Sequence, residues 1–477
     1  MRLPAQRPVA PSTAAATAAL ALGALVWAGA TFKFGFAGLA LPLPLLAGLV
    51  LLRWPGTTLM LAVAAVVLAE QADWGLATWT EHLYDDLAKG FMPLDAILVL
   101  AVLGTLIQIA QDHRTLLVPP LPLTLALILV LLGLAGGAYV GRAGGVGLTD
   151  AILFAHVFLY LVVVPLVAVN LRIGERDVLR VFNVVVVLAI VKALLGLLIV
   201  ALGKGSPIDG SVLTYYAPTA NWIMTVAMLG ILAAMIGGVR VPWWMVLGAL
   251  LMLVALVLSY RRSFWIGDAL AIAMVVLLGL SSLGRLLLFP TALLVGVAIW
   301  ALGGVALQSD SPLGERLSSL NSSKINAKPD DRYRIDERAN VFHNITEHPI
   351  AGLGIGIPWQ ASKQPLPIEA EPTHQYVHFA ALYWWLRLGL LGLMAYAALI
   401  AAGILMAYRV WRAPGLAPPL RAFGLGSLAS MIGLVVIETT TTFTGADIRF
   451  TLALAGQLAL LAVCVRQAAR ADSTAVV

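Results

Sequence analysis

The sequence predicts an all-α, polytopic integral membrane protein, and three observations carry that prediction. The chain is 61% hydrophobic and only 11% charged, against roughly 25% charged residues in a soluble domain. Its mean hydropathy is +0.94. Its apolar residues fall into continuous runs, many close to the ~20 residues that carry a helix across a bilayer. A β-barrel would show shorter, alternating segments instead.

The elements follow in order. The Pro-rich lead MRLPAQRPVAPST reads as a cytoplasmic tail, residues 1–15. Candidate spans are 16–32, 36–52, 56–70, 93–110, 117–136, 149–169, 178–202, 215–237, 241–259, 262–282, 285–307, 376–408, 419–442 and 447–466. Fourteen is the upper count, and about 12 results if short runs merge or re-enter. The chain thus divides into a helical bundle at 16–307, a long loop at 308–375, C-terminal spans at 376–466 and a cytoplasmic tail at 467–477. The one cysteine, Cys464, lies in the last run, so no intrachain disulfide braces the loop.

Charge gives the orientation. With the N-terminus inside and the spans alternating, fourteen Lys and Arg fall on inside loops and seven on the short outside loops. That bias follows the positive-inside rule and places the 308–375 loop outside. It also accounts for the net charge of +6 without a nucleic-acid partner. Arg261 and Arg262 are the exception, a cationic pair at the outer junction of two spans. Guanidinium forks match phosphate oxygens bidentately, so the pair reads as a lipid-linked phosphate site or as an anchor to anionic headgroups.

Other polar positions carry two readings each. Lys192 sits inside an apolar run, where an ionisable group is a functional candidate by default, but it can also snorkel to the outer surface. Trp74, Trp79 and Tyr84 in the 71–92 loop suit an interfacial helix within an aromatic belt. His82 there reads as a solvated histidine, and the tyrosine-rich stretch 210–221 reads as a structural rim.

Chemistry concentrates between Arg332 and Gly392, which hold His343, His348, His374 and His378, four of the seven histidines. The polar stretch 308–331 predicts a mobile lead. DRYRIDERANVFHNITEH then predicts an amphipathic helix with Ile335, Ala339, Phe342 and Ile345 as its apolar positions. Arg334 and Arg338 lie one turn apart on it and repel unless an anion sits between them. His348-Pro349 ends the helix, and AGLGIG forms a Gly-rich turn. That turn is not a phosphate loop, because no strand precedes it and no Lys-Ser/Thr follows. His374 and His378, four apart, predict one helical face at the mouth of the next span. They read as a metal pair, for which a third ligand is missing, or as a general base. Nearby arginines favour the neutral imidazole that a base requires.

These residues resemble a family. RRSFWIG at 261–267 is similar to the Ser-Arg-containing start of a span in the O-antigen ligase family, with Arg262 in register and Arg261 replacing the usual small residue. Arg334 stands fourteen residues before His348 in EHPIAGLGIG, similar to the family's arginine before an HP-x-x-G-x-G turn. His378 precedes Gly389 by eleven residues, and Gly392 completes a G-x-x-G. Phe379 departs from the small polar residue usual after that histidine. His374 is followed by Gln375 but is out of register with the glycines.

The resemblance implies a helical bundle with a large periplasmic loop in a bacterial inner membrane. It implies transfer of a glycan from undecaprenyl pyrophosphate to a sugar hydroxyl of lipid A–core, with no cofactor and no metal. On that reading His378 is the base, and Arg262 and Arg334 meet the pyrophosphate. Arg261, Arg338, Arg332 and His374 then bind substrate. A polymerase, taking a second lipid-linked glycan as acceptor, and a protein O-oligosaccharyltransferase share the same donor. From another class, a transporter is also polytopic, but it predicts paired repeats with polar residues near the midplane, and only Lys192 stands there.

Overall fold

The computed structural model describes residues 42–69, 82–85, 91–203, 206–208, 212–214, 218–280, 329–367 and 373–475. The predicted spans 16–32 and 285–307, the N-terminal tail, the 308–328 stretch and most of the 71–92 loop lie outside these residues.

The described chain is helical. The elements are α1 (Pro42–Arg53), α2 (Pro55–Leu68), α3 (Pro93–Gln111), α4 (Leu121–Ala143), α5 (Leu148–Asn170), α6 (Glu175–Ala201), β1 (Ser206–Ile208), β2 (Val212–Thr214), α7 (Pro218–Ile236), α8 (Trp243–Leu258), α9 (Arg262–Gly279), α10 (Pro329–Glu347), α11 (Ala380–Arg412), α12 (Pro418–Ile437) and α13 (Ile448–Ala475). Nine of them are long and apolar enough to cross a membrane among the described residues. The chain is an all-α polytopic membrane protein, with one small antiparallel hairpin pairing Ser206 with Thr214. Prolines at the first turns of α2, α3, α4 and α12 start those helices where the missing N–H costs nothing. The helices α1 and α2 meet at a bend of 113° across Trp54, ahead of Pro55.

The core is built around α7, α12 and α13, which are buried along most of their length, while α3, α6 and α9 keep broad apolar faces exposed. A bilayer would cover those faces. The helices α4 and α11 approach closely through small residues. A Cβ on Gly137 or Gly141 of α4 would collide with backbone at Arg387 or Ile355, the small-residue packing that membrane helices use.

One helix is broken on purpose. At Gly389 the backbone of α11 takes φ 68°, ψ −164°, a region essentially limited to glycine. The break releases groups from the helical ladder, and the 350–354 turn takes them up: Leu390 N–H donates to Ile350 O (2.9 Å), and Leu353 N–H donates to Leu386 O (2.8 Å). Gly352 and Gly354 have positive φ and press against the backbones of α11 and α4. The glycine-rich turn after His348-Pro349 is therefore a structural plug for the kink.

Candidate functional site

The site gathers at the end of the bundle where α8 meets α9, α10 lies, α11 begins and α12 turns into α13. The α8–α9 junction comes first. Tyr260 adopts φ 53°, an uncommon left-handed conformation for a bulky residue, and so breaks the apolar run just before the arginines. Ser259 is fully buried, its hydroxyl donating to Leu256 O (2.7 Å). Arg261 becomes the N-cap residue of α9 and Arg262 its first residue. The Arg261 guanidinium lies over the Phe443 ring, 5.4 Å from its centroid.

Helix α10 forms where predicted, but with a different buried face. Ile335 and Phe342 are exposed, at 46% and 51%. The buried positions are Tyr333, Glu337, Asn340, Val341, Asn344 and Ile345. The physical reason is that side chain–backbone hydrogen bonds, more than apolar burial, hold this helix. Asn340 donates to Gln364 O and accepts from Lys363 N–H and Gln364 N–H, all at 2.8 Å. Asn344 donates to Gln360 O (2.8 Å) and accepts from Gln360 N–H (3.0 Å). A polar ladder thus straps the 357–367 segment to α10.

Arg387, fully enclosed in α11, holds the same strap from the other side. Its guanidinium donates to the carbonyls of Gly354 (3.3 Å), Ile357, His374 (3.4 Å) and Gln375. Burying a guanidinium is tolerable only when its donors find acceptors, and these four carbonyls fix the course of the chain into the site.

Between strap and helix, residues 373–379 are irregular, and α11 begins only at Ala380. His374 and His378 therefore do not share a helical face, which corrects the four-residue-spacing expectation. Arg387 and the left-handed turn at His374 (φ 49°) hold the segment out of the helix. The His374 ring stacks on Trp359 at 4.4 Å, and His374 O accepts from Trp359 N–H (3.0 Å). The His378 ring instead faces Glu337. Its Nδ1 lies 3.1 Å from both carboxylate oxygens, and its backbone N–H donates to Oε2 (2.9 Å). Tyr376 and Tyr333 meet the imidazole edge to face at 4.9 and 6.0 Å.

The α12–α13 loop is the hub that joins these parts. Tyr376 donates its hydroxyl hydrogen to Thr442 O (2.7 Å) and accepts from Thr442 N–H (3.0 Å). Thr442 also donates to Val377 O (2.5 Å). Glu438, buried, accepts from Phe443 N–H, Thr444 N–H and the Tyr396 hydroxyl and thereby shapes the loop. Arg338 donates to Thr439 O and lies 5.2 Å over the Phe379 ring. That contact gives Phe379, the departure from the family pattern, a cation–π role. Burial holds the Arg338 guanidinium below its ordinary pKa; Glu337 opposes this and Arg334 adds to it.

The other polar positions lie as follows. Arg334 is half-buried, three residues before Glu337 on α10. Arg332 is exposed and faces Asp336 at 3.6 Å, on the outer side of the helix. His343 pairs with Glu347 at 3.6 Å, away from the centre. Lys192 is buried in α6, its ammonium 3.5 Å from Leu68 O at the carboxyl end of α2, so it does not snorkel out. The sequence reading missed Glu337, Asn340, Asn344, Arg387 and Glu438. A charged or amide residue facing inward on a helix departs from an apolar stripe, and in Glu337 that departure was the available signal.

Comparison with known proteins adds one finding. Residues 247–397, about a third of the chain, match the family described as O-antigen ligase (Wzy_C). No curated protein matches the chain. The matched stretch runs from α8 through the Arg261–Arg262 junction, α10 and the strap past the kink of α11, and over it the chain is similar to the O-antigen ligase family; the α12–α13 loop lies beyond the match.

Proposed function

We propose that the chain is a membrane glycosyltransferase of the O-antigen ligase type, moving a glycan from undecaprenyl pyrophosphate to a sugar hydroxyl of lipid A–core. The observation that carries this reading is the gathering of Arg261, Arg338 and the Glu337–His378 pair around one loop, within the stretch that matches the family. Arg262 and Arg334 meet the pyrophosphate, and Arg261 and Arg338 complete the cationic rim. His374 and Arg332 contribute to substrate binding at its edge. As the acceptor oxygen attacks the anomeric carbon, its proton passes to His378. The bond from that carbon to the phosphate oxygen breaks, and the electron pair leaves with the lipid pyrophosphate. Attack opposite the leaving group inverts the centre. Arginines neutralise the leaving group in a water-poor site, so the reaction needs no metal.

The site end faces the periplasm of a bacterial inner membrane. In support, Arg53, Arg114, Arg172, Arg176, Arg240, Arg409, Arg412 and Arg421 lie at the turns of the opposite end, as the positive-inside rule requires of a cytoplasmic face.

The test is transfer by the purified full chain. Arg262→Ala should abolish transfer with the protein still in the membrane, and Arg262→Lys should rescue poorly, having lost the bidentate fork. His378→Ala should lose about 10²–10⁴-fold. EDTA should leave the rate unchanged. Full activity of Arg262→Ala, or an EDTA block reversed by a divalent cation, refutes the mechanism. Deletion of the gene separates the acceptors: loss of all capped lipopolysaccharide bands means ligase, and single-unit capping means polymerase.

A further inference from the structure

Glu337 has an arrangement that packing alone does not require. Its side chain is completely buried, and a buried carboxylate is costly unless donors surround it. Among the described residues, the donors come from one residue. Both oxygens lie 3.1 Å from His378 Nδ1, and Oε2 also takes the His378 backbone N–H at 2.9 Å. A backbone anchor needs only the second contact. The first fixes the ring about its own bonds, and the edge-to-face tyrosines Tyr376 and Tyr333 fix its plane. With Nδ1–H turned to the carboxylate, the lone pair of the neutral ring belongs to Nε2, on the side away from Glu337.

We propose that Glu337 is a positioning residue that locks the His378 imidazole in its Nδ1–H tautomer and stabilises the imidazolium formed as Nε2 takes the acceptor proton. The inference rests on the reading of His378 as the base. The proton leaves the acceptor hydroxyl, is held on Nε2 while the glycosidic bond forms, and then passes to solvent or to the departed pyrophosphate. The carboxylate balances the transient positive charge. This is the division of labour between carboxylate and imidazole in hydrolytic triads. Among the described residues, the charged and titratable groups around the imidazole are Glu337 and Tyr333 on α10 and Tyr376 beside it, with Arg334 and Arg338 flanking Glu337 on the same helix.

The experiment compares Glu337→Gln, Glu337→Asp and His378→Ala in the purified full chain, with a lipid-linked glycan donor and lipid A–core as acceptor. Glu337→Gln keeps an oxygen acceptor but removes the charge. Its kcat should fall about 10²–10⁴-fold with donor KM unchanged. The acidic limb of its kcat–pH profile should move to lower pH, because the protonated ring has lost its counter-charge. Glu337→Asp should recover part of both effects. A Gln variant with the wild-type kcat and pH limb overturns the proposal. If that variant does not fold, a kcat deficit in Glu337→Asp with an unmoved pH limb overturns it equally. A fully active His378→Ala sinks the base reading itself, whereas an inactive His378→Ala beside a normal Glu337→Gln sinks only the role of Glu337.

Discussion

Arg387 shows what a single residue does for this site. In sequence it is one cation in an apolar run. In the structure it ties four carbonyls from two separate segments, Gly354 and Ile357 on one and His374 and Gln375 on the other. Arg387→Met keeps much of the volume and removes every donor. Each stranded buried carbonyl costs about 1–3 kcal/mol, so the variant should lose about 3 kcal/mol or more and melt earlier in detergent. Arg387→Lys offers three donors without the planar fork and should recover only part. A melting temperature equal to wild type in Arg387→Met would show that water replaces the guanidinium. His374 is the residue-scale counterexample: its stacking on Trp359 predicts a smaller loss of transfer for His374→Ala than for His378→Ala in the same assay.

The element that decides the geometry is the broken helix α11. A continuous helix through Gly389 would satisfy its own backbone and leave the 350–354 turn with nothing to bond. The break and the turn need each other, and glycine permits the break. Gly389→Ala places a Cβ against the Ile350 carbonyl and forces an alanine into a glycine-only region, worth about 1–3 kcal/mol in strain alone. The variant should straighten α11, loosen the strap and lower transfer, read as faster amide exchange in 350–366 with the far end of the bundle unchanged. Unchanged exchange in that segment would count against the coupling. Helix α10 teaches a different lesson. Periodicity predicts an apolar stripe, yet its inward face carries Glu337, Asn340 and Asn344, because its partner is irregular backbone with unmet N–H and C=O groups.

For the whole molecule, the central expectation is sidedness. Lys363 is exposed on the strap at the site end, and Gly415 is exposed in the α11–α12 turn at the opposite end. In a Cys464→Ala background, a membrane-impermeant thiol reagent added outside intact inner-membrane vesicles of cytoplasmic-side-in orientation should modify Lys363→Cys and spare Gly415→Cys. The reverse pattern would invert the assignment and remove the periplasmic acceptor with it. The background substitution is mild, since Cys464 is a small buried thiol in α13.

Composition and run length by themselves determined the class, because the bilayer admits only helices and closed barrels and the runs do not alternate. Local chemistry determined the start of α9 near the arginine pair, the presence of α10 and its end at His348-Pro349, since prolines and caps act within one turn. The family resemblance was also legible, because its motifs are short and contiguous. Only the tertiary structure decided that His374 and His378 part company, that Glu337 rather than an arginine sits against the His378 imidazole, and that the glycine turn plugs a helix break. Those outcomes depend on contacts such as Glu337 with His378 and Tyr376 with Thr442, 41 and 66 residues apart in the chain. A periodic pattern records which face of a helix is apolar. It carries no record of which distant backbone a buried carboxylate will meet.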